Sequence, residues 1–189
     1  YSIGEQKTLV ILANFPRSSS TMPFSKEEIR QSLFSEKNKE SVNSYYIENS
    51  YGKMRLTGDI FGWYTLPIED GQCDGNRILE ESITAVDPQI DFETAGYRRI
   101  IIYKLGREGA CSPGVLTNGT LGLIKIQTDE GEREMSVSWI NVDPNLNNAN
   151  SYSQVTAHEF GHNLGLQHAK GLECGLSTTE IIGVRVNCE

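Results

Sequence analysis

At 189 residues the chain fits one domain and is long enough to bury a substantial core. Its 17 Lys and Arg against 25 Asp and Glu give a net charge of −8 with no basic cluster, which argues against nucleic-acid binding, since that rests on neutralising several phosphates. The longest apolar runs, Leu9–Ala13 and Ile100–Tyr103, fall far short of the ~20 residues a membrane-spanning helix needs.

In chain order, Lys7 to Phe15 is dense in branched apolar residues and reads as a buried strand, ended by Pro16. Ser25 and Glu28 form a capping box that opens a helix with Ile29, Leu33 and Phe34 on one face. A second helix is expected over about 41–49, with Val42, Tyr45, Tyr46 and Asn49 at helical spacing. Met54 to Leu66 has strand composition broken by Gly58 and Gly62, which predicts a bent or bulged hairpin. Asn76 is a candidate cap for a helix through Ile78, Leu79, Ile83 and Val86 that stops before Pro88. Arg98 to Leu105 reads as another buried strand and 106–118 as a loop. Leu121 to Thr128 and Glu134 to Val142 are expected strands around the turn Asp129-Glu130-Gly131. Asp143 to Asn150 is a polar loop, and a helix over about 151–164 follows, capped by Asn150 or Ser151. Strands separated by helices, with a hairpin, point to a mixed α/β sheet.

Four cysteines, at 73, 111, 174 and 188, form no CxxC pair, so a compact zinc–thiolate site is not expected. Two disulfides are the preferred reading and would imply secretion; four buried free thiols are the alternative. Of the three pairings, Cys73–Cys111 with Cys174–Cys188 closes the shorter loops, and spacing alone does not choose among them. Asn118-Gly119-Thr120 is an N-glycosylation sequon. The chain opens at Tyr1, so any signal or pro-segment is expected to have been removed or to lie outside this sequence.

The informative stretch runs from His158 to His168 and matches HExxHxxGxxH, holding all three histidines of the chain. Three histidines fall into that spacing by chance about once in 6,000 arrangements, before Glu159 and Gly165 are required. On a helix, His158 and His162 share a face one turn apart and can aim at one ion. Glu159 lies ~100° round the helix, placed to reach a water without taking a ligand position. Gly165 can adopt left-handed dihedrals, end the helix and reverse the chain, bringing His168 to the same ion. Three neutral imidazoles leave a position open, the pattern of a catalytic rather than a structural zinc. The expected chemistry is polarisation of a carbonyl by the metal, with Glu159 as general base and then acid.

The motif resembles that of the metzincins, zinc endopeptidases with three histidines and a glycine turn. Tyr45-Tyr46-Ile47-Glu48-Asn49-Ser50-Tyr51-Gly52-Lys53, Thr57-Gly58-Asp59, Gly62-Trp63-Tyr64, Ser138-Trp139-Ile140-Asn141 and Cys174-Gly175 resemble the gametolysin-type peptidases and their bacterial relatives. The resemblance implies a twisted mixed sheet over an active-site helix, with an antiparallel edge strand at about Thr120 to Ile126. Thr120, Leu121, Gly122, Leu123 and Ile124 are its expected substrate-binding residues, adding a peptide as an extra strand. It also implies one catalytic domain over 1–189, with an N-terminal subdomain over 1–165 and the start of a C-terminal subdomain at 166–189. Metzincins follow the third histidine with a Met-turn, whereas Met22, Met54 and Met135 all precede the motif. The expected C-terminal subdomain is therefore truncated.

The leading expectation is a secreted, monomeric zinc endopeptidase acting on extracellular proteins or peptides. The alternative is a catalytically impaired zinc-binding module on the same scaffold, and a zinc hydrolase or amidase of another substrate is a weaker third. Calcium has only Asp70, Asp74 and Asp143 in loops to suggest it, without EF-hand spacing. Trp63 and Trp139 read as core or rim residues.

Overall fold

The computed structural model describes residues 3–69, 74–105, 117–143, 145–146 and 148–168. They form a mixed α/β fold around a six-stranded sheet, with five α-helices. Four strands run parallel in the order β2-β1-β3-β6: β1 Gly4–Asn14, β2 Met54–Thr65, β3 Arg99–Leu105 and β6 Gly131–Val142. Two short strands, β4 Asn118–Gly119 and β5 Ile124–Thr128, pair antiparallel with the outer edge of β6.

The central strands are apolar at successive positions because both sheet faces are covered, as a parallel sheet requires. Val10, Leu12, Ile101, Tyr103, Ile140 and Val142 turn to one face. There they meet α1 (Lys26–Phe34), α2 (Val42–Asn49) and α5 (Ser153–Asn163). Leu9, Ile11, Ile100, Ile102, Val137 and Trp139 turn to the other, against α3 (Gly75–Val86) and Phe92 of the short α4 (Phe92–Ala95). Trp63 sits at the rim of the first core, its indole N–H donating to the Phe24 carbonyl at 2.9 Å.

The capping box forms: the Ser25 hydroxyl accepts from the Glu28 N–H at 3.2 Å and the Glu28 carboxylate accepts from the Ser25 N–H at 2.7 Å. Other boundaries differ from expectation. Met54–Thr65 is no hairpin but one long strand lying parallel beside β1. A bulge is present, since Leu12 pairs with Gly62 and Ala13 with Tyr64, leaving Trp63 as the extra residue. The glycines serve a close approach rather than a turn: a Cβ at Gly58 would lie 1.8 Å from the Thr8 carbonyl oxygen, and one at Gly62 2.2 Å from that of Leu12.

In α2, Val42 and Tyr46 face inward as expected, but Tyr45 and Asn49 are exposed. Asn43 is buried in their place, donating to the Phe34 carbonyl at 2.9 Å and accepting from the Leu56 N–H at 2.8 Å. Asp74, not Asn76, caps α3, its carboxylate accepting from the Asn76 N–H. A 3₁₀ turn over Ala149–Tyr152, capped by Asn148 rather than Asn150 or Ser151, leads into α5. The expected strand from Leu121 begins only at Ile124. Thr120 to Leu123 leave the sheet as a bend, with Gly122 at φ +80°. The four cysteines, Asp70, the loop at 106–116 and residues 169–189 lie outside the described residues.

Candidate metal centre

Helix α5 is held from three directions. The Tyr46 hydroxyl donates to the Ala157 carbonyl at 2.7 Å, and the Tyr46 ring packs on Phe160 at 5.3 Å between centroids. From the sheet, the Tyr103 hydroxyl meets the Thr156 hydroxyl at 2.9 Å. At the far end the Arg99 guanidinium donates to the Asn163 carbonyl at 2.7 Å, placing a cation at the negative end of the helix.

The helix stops in a Schellman motif. The Leu166 N–H donates to the Gly161 carbonyl at 3.0 Å and the Gly165 N–H to the His162 carbonyl at 2.8 Å. Gly165 has φ +93°, the left-handed backbone that side-chain-bearing residues resist. The chain reverses there and returns His168 to the face carrying His158 and His162, as the sequence spacing requires.

The three rings converge. The Nε2 atom of His168 lies 3.1 Å from Nε2 of His158 and 3.1 Å from Nε2 of His162. Two nitrogens bound to one tetrahedral zinc at ~2.05 Å stand ~3.3 Å apart, so the spacing suits a shared ion. The His162 Nδ1 donates to the Leu166 carbonyl at 2.7 Å, which leaves its Nε2 as a bare lone pair. One proton on His168 can serve only one of its two neighbours, whereas a cation satisfies all three lone pairs. Among the described residues this trio is the one group of three or more His, Cys, Asp or Glu gathered closely enough to hold a metal ion. Imidazole donors suit several transition metals.

Glu159 follows on the same helix and is buried, 6% exposed. Its backbone carbonyl abuts Gly119 of β4, where an added Cβ would come within 2.5 Å. The Thr120–Ile124 segment runs beside this end of the helix. The Gly122 N–H donates to the His162 carbonyl at 3.1 Å, and the Thr120 N–H to the Val137 carbonyl at 2.8 Å. Leu121 and Leu123 are exposed, and of the five residues only Ile124 belongs to a strand. A groove of about 670 Å³ opens beside His158, lined by Ser41, Tyr45, Asn150, Gln154 and Ala157 among others.

Asp74 and Asp143 cap their own turns, at the Asn76 and Asn145 N–H groups, and among the described residues neither belongs to a group of three or more His, Cys, Asp or Glu that could hold a metal ion. Sequence reasoning passed over Arg99, Asn163 and Gly119. Asn163 occupies an unconstrained position of the histidine motif, and an arginine far away in sequence gives no sign that it caps this helix. No helix among the described residues is long and apolar enough to cross a membrane. No known family model matches the chain, and a search of curated proteins finds no match.

Proposed function

We propose that the chain is a zinc-dependent endopeptidase of metzincin type, with His158, His162 and His168 as ligands and Glu159 as general base. The observation that carries this reading is the convergence of three Nε2 atoms, one of them on a turn made by Gly165. When bound, zinc supplies Lewis acidity: it polarises a carbonyl and acidifies water. With three ligands from the described residues, a bound zinc would keep a position for the reacting groups.

The residues of this chain do the rest. The Glu159 carboxylate takes the proton of the attacking water and returns it to the leaving amine. Glu159 is buried, which shields it from bulk solvent. The Leu166 carbonyl holds the His162 ring in the tautomer that ligates. A peptide lies along the Thr120–Ile124 segment, where Leu121 and Leu123 are exposed, and the groove beside His158 offers further room for it. The even cysteine count favours a secreted protein acting on extracellular polypeptides.

The test joins elemental analysis to casein digestion with and without chelator. One zinc per chain and chelator-sensitive cleavage are expected, and Glu159→Ala keeps the zinc while losing turnover. Stoichiometric zinc with no cleavage of any peptide library would replace this reading with a zinc-binding module. Undiminished cleavage by Glu159→Ala would remove Glu159 from the mechanism.

A further inference from the structure

Resting on that metal-centre reading, we infer that Asn163 is a positioning residue: its side-chain amide fixes the gap between the His162 end of α5 and the Thr120–Gly122 segment. It thereby sets the attitude of the His162 ring toward the metal.

Asn163 is 1% exposed, and its polar groups are engaged across three elements. Its Oδ1 accepts from the Ser138 hydroxyl at 2.8 Å. Its Nδ2 donates to the Val137 carbonyl at 2.9 Å and to the Thr120 carbonyl at 3.0 Å. Its backbone carbonyl accepts from Arg99, which is itself held by the Gln6 carboxamide at 3.0 Å and the Ser136 hydroxyl at 3.1 Å. Beside it in sequence, the His162 carbonyl accepts from the Gly122 N–H. The second histidine of the trio is therefore referenced to the sheet edge through its own carbonyl and through the next residue's side chain.

Only an amide satisfies this arrangement, because one end must accept from a hydroxyl while the other donates to two carbonyls. A carboxylate keeps the first contact, loses both donors and sets negative charge against two carbonyl oxygens. Alanine leaves those carbonyls short of a donor in a buried place. The helix body does not depend on the same contacts, since Tyr46, Tyr103 and Phe160 hold it further upstream. A change at Asn163 therefore acts on the ligand end first.

Cobalt(II) titration of the parent and of Asn163→Asp, followed by visible absorption, separates the possibilities. A parent that takes up no cobalt overturns the metal-centre reading itself. With a cobalt-binding parent, Asn163→Asp is expected to keep the parent's far-ultraviolet circular dichroism, shift the d–d band and bind about 10–100-fold more weakly, the range for lost outer-shell partners. Ser138→Ala, which removes one acceptor contact and leaves both donors, is expected to shift the band less. Should Asn163→Asp fail to fold, Arg99→Lys gives the same readout, because it keeps the charge and loses the fork that reaches Asn163, Gln6 and Ser136 together. A folded variant with the parent's cobalt affinity and band overturns the inference and leaves the metal centre standing.

Discussion

Gly119→Ala tests whether β4 and the histidine-bearing helix are in direct backbone contact. A Cβ at Gly119 would lie 2.5 Å from the Glu159 carbonyl oxygen, roughly 0.9 Å short of the 3.4 Å at which ordinary contact begins. That obstacle is helix backbone, which side-chain rotation cannot clear. The segment must retreat by most of that distance, stretching the Asn163 Nδ2 contact to Thr120 and the Gly122 contact to His162 from 3.0 and 3.1 Å beyond hydrogen-bonding range. Two hydrogen bonds at about 1 kcal/mol each give a loss of about 2 kcal/mol. The lower unfolded-state entropy of alanine returns ~0.4–1 kcal/mol, leaving a net loss of about 1–2 kcal/mol. For a chain of this size that is roughly 2–8 °C in Tm. Urea and thermal unfolding followed by circular dichroism, with zinc content measured alongside, read both effects. A variant within about 1 °C of the parent and fully loaded with zinc refutes the contact, because strain on that scale cannot vanish.

Tyr46→Phe removes the hydroxyl bonded to Ala157 and should cost about 1 kcal/mol in urea unfolding. Gly165→Ala imposes a left-handed strain of ~1–2 kcal/mol with no steric clash; zinc stoichiometry should fall more than far-ultraviolet ellipticity, since the strain lies where His168 is delivered. Burial takes Lys104 from 10.5 down to about 8, its ammonium held only by the Asn141 carboxamide among the described residues. Between about pH 8 and 10.5 the unfolded chain holds a proton that the folded chain has lost, so this group's contribution to stability rises with pH across that window. Lys104→Met should therefore be the more stable protein at pH 7, with a lead that shrinks toward pH 10; a constant difference in urea midpoint would contradict this. Buried Tyr46 and Tyr103 and half-buried Tyr97 have pKa values raised by loss of solvent and act in the opposite sense, since they must ionise on unfolding at high pH, so the parent loses stability above pH 10.

The elements that could be read from sequence were those whose local chemistry and tertiary setting agree. Strand β1 is apolar because helices cover both its faces, and the Ser25–Glu28 box closes its own hydrogen bonds without outside help. The histidine trio was legible because helical spacing and one glycine suffice to bring three rings together. The misreadings arise where a distant partner decides. Gly58 and Gly62 look like turn residues until the β1 carbonyls of Thr8 and Leu12 are seen pressed against them. Thr120 to Leu123 look like a strand, but the helix carbonyl of His162 and the amide of Asn163 draw the segment out of the sheet. Asn43 breaks the apolar stripe of α2 because α1 and β2 each need a hydrogen-bond partner there.

The Schellman turn divides the histidine trio unequally. His158 and His162 ride on a helix that is anchored whether or not an ion is present, while His168 arrives on three exposed residues after Gly165. A bound cation consequently acts as a rivet across that hinge, and part of its binding free energy goes into restraining backbone that the core does not reach. Chelation should then loosen the chain beyond the hinge well before the sheet responds, making amide exchange at Leu166 to His168 the earliest sign of an emptied site.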